Sequence, residues 1–182
     1  MPILKRDDAE IYYETYGSGH TILLFAPGGM RSRMELWRAP DGGPPRPWHD
    51  WIEVLSRDYR VVAMDQRNAG QSRGDVAADH GWHTYAGDHL ALMDHLGAEK
   101  FHTLGGCIGG SFCLKLCEMA PERVTAAVLQ NPIGLHPVET TYFPDSFAEW
   151  AEEQRAIRSD LDDKALESFC QNMFDGDFVF CV

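Results

Sequence analysis

Residues 101–110 read FHTLGGCIGG: an apolar stretch of strand length that enters, with no linker, a turn carrying glycine on both sides of a cysteine. Residues 111–119 (SFCLKLCEM) then have the spacing of a helix that closes before Pro121. A strand that turns directly into a helix leaves no room beside its turn. Side chains two positions before and two after the central residue would run into strand or helix, and Gly105 and Gly109 stand there. Cys107 is thereby placed at the tip of a tight strand–turn–helix, beside a helix N-terminus whose partial positive charge suits a thiolate. A phosphate-binding turn is the rival reading. It would need Gly-Lys-Ser/Thr at its end, and Gly109-Gly110-Ser111 lacks the lysine. A dinucleotide fingerprint would follow the first strand, whereas these glycines come after several.

The rest of the chain alternates short apolar runs with amphipathic stretches, the pattern of strands and crossover helices around a parallel sheet. Residues 3–5 and 10–16 read as a hairpin, ended by Gly17-Ser18-Gly19. Residues 21–26 (TILLFA) are continuously apolar, as a strand covered on both faces should be, and Pro27-Gly28-Gly29 stops them. Residues 39–45 (APDGGPP) exclude helix interior and central strand. Helices are expected at 51–57 and 82–96, the second stopped by Gly97, and strands at 59–64, 101–104 and 124–130. On the 82–96 helix, Tyr85, Leu90, Leu92, Met93 and Leu96 share a side. After Pro132 the character changes: 147–158 and 163–173 read as acidic amphipathic helices with no strand between them. The expected fold class is α/β, a mostly parallel sheet with flanking helices. Its core spans 1–135, and a helical cap segment spans 136–182.

Composition narrows the partners. A chain of 182 residues can bury one core, and 44% hydrophobic with 24% charged residues is too apolar for disorder. The formal net charge of -12 repels phosphate backbones and anionic lipid, so neither nucleic acid nor membrane is an expected partner. The N-terminus turns polar within five residues, unlike a signal peptide, and no apolar stretch approaches the ~20 residues of a bilayer span. The five cysteines, at 107, 113, 117, 170 and 181, form no CxxC pair and no zinc spacing with histidine. Free thiols in a reducing cytoplasm fit best, with no metal or organic cofactor implied.

Three segments between about residues 10 and 135 resemble the α/β-hydrolase superfamily: 23–29 (LLFAPGG), 63–72 (AMDQRNAGQS) and the turn at Cys107. The second is similar to that family's D-x-R-G-x-G-x-S turn, with Asn68 in place of a glycine; Asn is the next best residue for left-handed geometry. The resemblance implies that Asp65 and Arg67 hold this turn together. It implies that Cys107 is the nucleophile, in place of the usual serine. It also implies an oxyanion hole made of the backbone N–H of Ile108 and one from Gly28 or Gly29, with Met30 as the remaining alternative, Pro27 having none to offer. Cysteine at this position is similar to dienelactone hydrolase, a family that normally lacks a helical lid of this kind.

The resemblance also implies an acid and a histidine after later strands, in the order nucleophile, acid, histidine. The residue after the last expected strand is Asn131, not a carboxylate, and the chain reads as a C-terminally truncated member of a helical-lid type. Among eight histidines, His83 and His136 follow strands on the side of the expected crevice and are the candidates for a base or a pocket residue. His89, His95 and His102 fit surface or packing roles. Cys113 and Cys117 share a face of the 111–119 helix as apolar residues. Ser111 lacks the turn's glycine spacing. Trp37, Trp48 and Trp51 either wall a pocket or pack the long loop on the sheet. The expected activity is hydrolysis of an ester, lactone or thioester of a small-molecule acyl substrate. Acyl transfer from the same cysteine and a non-catalytic binding protein without a triad stay open, as does a homo-oligomer.

Overall fold

The apolar run at residues 21–26 lies in the middle of the molecule, with strands on both sides of it. The computed structural model describes residues 2–38, 50–132 and 142–175. Strands β1 (Ile3–Lys5), β2 (Ala9–Tyr16), β3 (Thr21–Phe25), β4 (Arg60–Met64), β5 (Arg73–Gly74), β6 (Phe101–Gly106) and β7 (Val124–Gln130) form one seven-stranded sheet. Its order is β1-β2-β4-β3-β6-β7, with β5 paired to β2 off this path. β4, β3, β6 and β7 run parallel, and β1, β2 and β5 join antiparallel. Every residue of β3 is buried, which is why its sequence is continuous rather than alternating.

Period-two alternation sends Leu23 and Phe25 to one face and Ile22 and Leu24 to the other. On the first face they meet α2 (Trp82–His95) and α3 (Ile108–Met119). On the second they meet Met34, Trp37 and Ile52, the last from α1 (Trp51–Leu55). The α1 helix starts where Asp50 accepts hydrogen bonds from the amides of Ile52 and Glu53, at 3.0 and 3.1 Å. Gly97 adopts φ +66° after α2, the left-handed stop its sequence position suggests.

Several boundaries differ from the sequence expectation. The α3 helix begins at Ile108 rather than 111, because the turn closes within one residue: the Gly110 amide donates to the Cys107 carbonyl at 2.9 Å. Two 3₁₀ turns, Gly29–Arg31 and Met34–Trp37, lie between β3 and residues 39–45, where no element was expected. Leu90 on α2 and Leu96 just after it are only half-buried, while Asp88 and His89 are buried. The two later helices are α4 (Tyr142–Ile157) and α5 (Asp163–Asp175), and they add Phe147, Trp150, Leu166 and Phe169 to the cluster that holds α2 and α3. Among the described residues β7 pairs only with β6, and Val128 on it is 48% exposed.

Candidate active site

Parallel strands deliver their C-terminal ends to one edge, and Phe25 at the end of β3 stands in register with Gly105 of β6. The turn after β6 and the loop after β3 are therefore neighbours. Cys107 sits in the first with φ 55° and ψ −122°. Of the described non-glycine residues only Asn68, Cys107 and Asn131 have positive φ. Asparagine tolerates that geometry; cysteine has no such ease, so strain is concentrated at Cys107. Its amide donates to the Gln130 carbonyl at 2.9 Å, which pins it to the end of β7. A Cβ at Gly105 would lie 2.0 Å from the Gly109 carbonyl oxygen, and one at Gly109 would lie 2.1 Å from that of Phe25. Side chains are excluded at both positions, and the tight turn forces the half-exposed cysteine outward.

Ile108 opens α3, so its amide belongs to the first helical turn, where N–H groups have no partner within the helix. Gly28 (φ 123°) and Gly29 (φ 60°) lead the 3₁₀ turn across the crevice. The loop is fastened by Ser32, whose buried hydroxyl donates to the Ala26 carbonyl at 2.6 Å and whose own carbonyl accepts from the Gln66 amide at 3.0 Å. Trp37 packs its ring over Gly106 and is buried, a packing role at the site's edge. Trp48 and His136 lie outside the described residues.

The 65–72 turn is held as the resemblance implies. Asp65 accepts from the Met34 and Gln71 amides at 2.9 and 2.8 Å. Burial pushes its carboxyl above the usual range, and those two hydrogen bonds oppose the push. The Arg67 guanidinium, only 2% exposed, grips Asp88 with two bonds of 2.9 Å and Asp8 with another of 2.9 Å. Nothing in the local sequence pairs Arg67 with Asp88, 21 positions away.

The histidines divide. His89 is fully buried against Phe25 and Phe112, with Nε2 2.7 Å from Gln66 Oε1, and burial drives its pKa down to about 3. It is a neutral packing residue. His95 meets the Tyr13 hydroxyl at 3.0 Å, and His102 meets Thr125 Oγ1 at 2.8 Å beside the His20 ring. His83 stands exposed on the first turn of α2. The other described thiols are shielded: burial pushes Cys113 up to about 12 and Cys170 up to about 11, and raises Cys117. Ser111 is buried inside α3. Among the described residues no group of three or more His, Cys, Asp or Glu side chains could hold a metal ion, and no helix is long and apolar enough to cross a membrane.

The later helices reach the same edge. Arg158, just after α4, donates to the Asn68 side chain at 3.2 Å and to the Gly74 carbonyl at 2.7 Å. Asn172 of α5 donates to the carbonyls of Ala78 and His80, both at 2.8 Å, and Trp82 Nε1 donates to the Met173 carbonyl at 2.9 Å.

A family model described as alpha/beta hydrolase fold matches residues 21–165. The "Putative carbamate hydrolase RutD" of Azorhizobium caulinodans is 33% identical over 131 residues, 72% of this chain and 44% of that protein. The chain thus spans less than half the length of that relative. A thermophilic esterase from Thermogutta terrifontis superposes with a TM-score of 0.66 at 20% identity, over 85% of this chain and 54% of that one. An epoxide hydrolase mutant from Vigna radiata does so with a TM-score of 0.64 at 22% identity, over 87% and 51%. These two likenesses speak to the fold.

Proposed function

We propose, because the chain belongs to the α/β hydrolase fold family, that the protein hydrolyses a small-molecule ester, lactone or thioester through a Cys107 thiolate. One observation carries this reading: a cysteine, the one described residue other than glycine and asparagine with positive φ, is held at φ 55° between glycines that cannot bear a side chain. Strain of that kind persists where surrounding structure over-determines it, and functional sites are where it gathers. The thiolate attacks the carbonyl carbon. The oxyanion that forms accepts hydrogen bonds from the Ile108 amide and from Gly28 or Gly29. Collapse expels the alcohol or thiol and leaves a thioester on Cys107, and water then releases the acid. His83 and His136 are the candidates for the base that takes up the thiol proton. The family resemblance to a carbamate hydrolase adds carbamates to the carbonyl compounds worth assaying. The four described cysteines are free thiols, in keeping with a reducing cytoplasm.

The test is turnover of a short p-nitrophenyl ester. Cys107→Ala should abolish it, and Cys107→Ser should leave little, because an alcohol needs a stronger base than a thiol. Unchanged turnover in Cys107→Ala moves the chemistry elsewhere, and no turnover by the unaltered protein favours a binding role.

A further inference from the structure

We propose that Glu153 of α4 is a positioning residue that adjusts the candidate oxyanion turn through Arg31, so that the fine placement of this turn depends on the docking of α4. The proposal deepens the reading of Cys107 as nucleophile and rests on it.

The turn is fixed at its ends, and in its middle Met30 is buried in the core while the Arg31 and Ser32 amides donate to the Gly28 and Gly29 carbonyls, both at 3.1 Å. Upstream, Phe25 is locked into the sheet opposite Gly105. Downstream, Ser32 is tied by its hydroxyl to the Ala26 carbonyl and by its carbonyl to the Gln66 amide, at 2.6 and 3.0 Å. Between them come Gly28 and Gly29, the two residues with the most backbone freedom, both at positive φ. Those two glycines supply the candidate amides, so the precision of the hole depends on what else holds residues 28–31.

Arg31 adds a hold from outside the turn. Its Nε donates to Glu153 Oε2 at 2.8 Å and its Nη2 to Glu153 Oε1 at 2.7 Å, a forked pair that fixes the guanidinium plane as well as its distance. The pair joins positions 122 apart in sequence. Hydrogen bonding to Glu153 holds the Arg31 guanidinium above its ordinary pKa, and Glu149 one turn earlier adds to the field. The same helix passes close to the glycines: a Cβ on Gly29 would lie 3.9 Å from Ser146 Oγ. α4 is itself secured, by Phe147, Trp150 and Ala151 in the core and by Arg158 on the Asn68 side chain and the Gly74 carbonyl. Any displacement of α4 is thus passed by the fork to the turn.

Exposure makes the idea separable from simple stability. The two side chains are 35% and 55% exposed, and exposed pairs add little to global stability. Glu153→Gln should therefore fold normally, while losing the charge-assisted fork. A Glu149→Gln/Glu153→Gln protein guards against Glu149 taking over.

The primary readout is amide hydrogen exchange, which needs no turnover. Both variants should exchange faster at residues 28–32 with β6 and α3 protection unchanged, added salt should do the same to the unaltered protein, and Arg31→Glu/Glu153→Arg should restore protection. In the ester assay kcat should fall about two- to fivefold at constant KM, and Cys107-dependent turnover should show the same salt sensitivity. Unchanged exchange at 28–32, or a uniform rise across α4 and α5, overturns the positioning role while leaving Cys107 untouched. Turnover that survives Cys107→Ala overturns the nucleophile reading, and this proposal with it, whatever the exchange shows.

Discussion

Gly109→Ala puts the geometry of the turn to a quantitative test. Gly109 is the second residue of α3, and an added Cβ there would lie 2.1 Å from the Phe25 carbonyl oxygen and 2.9 Å from both its carbon and its Cβ. Ordinary contact begins at 3.4 Å, so β3 and α3 would have to part by more than 1 Å. Both sides of the clash are backbone, and Phe25 is wedged against His89 and Phe112, so neither can swing aside. Overpacking of this kind costs about 3 kcal/mol at the upper end of its usual range. Alanine in a helix returns about 1 kcal/mol relative to glycine. The net loss is therefore about 2 kcal/mol, and Tm should fall by roughly 4–8 °C for a chain of this size. Gly87→Ala is the matched control. It lies within α2, an added Cβ there would come to 3.6 Å from Arg6 Nη1, an ordinary contact, and it should gain about 0.5–1 kcal/mol. Thermal and urea unfolding of the two variants beside the parent decide the matter. A Gly109→Ala protein as stable as the parent would refute the close approach of β3 and α3 on which the site's geometry depends.

Three further outcomes follow from the same structure. Iodoacetamide at neutral pH should modify Cys107 well before Cys113, which is buried with a thiol pushed up to about 12, and before Cys117; peptide mass mapping at short times reads the order. His89 is held neutral in the fold, with its pKa lowered to about 3 by burial, whereas an unfolded histidine titrates near 6.5. Its contribution is present above that unfolded value and is lost as pH falls toward 3, so urea unfolding from pH 7 to 4 should show a slope that His89→Gln reduces. Asp88→Ala removes the forked partner of the buried Arg67 guanidinium, leaving it paired with Asp8, and should cost about 1.5–3 kcal/mol, read as a lower urea midpoint.

The sheet was legible because apolar runs of strand length announce themselves: β3, β4 and β6, which are buried, and β7, which is not, all fall on such runs within a residue or two. The turn at Cys107 was legible because steric exclusion at Gly105 and Gly109 leaves a mark in the sequence itself. Short elements left none. The two-residue β5 and the 3₁₀ turns hold too few residues to show a period. Polar burial was hidden for a different reason. An apolar stripe drew attention to Leu90 and Leu96, yet Asp88 and His89 go inside because Arg67 and Gln66 meet them there, and such partners are set by the fold rather than by neighbours in sequence. The Arg31–Glu153 fork is hidden in the same way. His83 remains a candidate placed by chain order, exposed at the start of α2.

The central claim is that Cys107 is the nucleophile, and the most direct measurement is the intact mass of the protein quenched in acid milliseconds after mixing with an activated ester. The account predicts a gain of one acyl group, mapped to the peptide carrying Cys107, that decays on longer incubation and does not form in Cys107→Ala. An acyl adduct on any other residue, or catalysed turnover with an unmodified Cys107 at every time point, would contradict it.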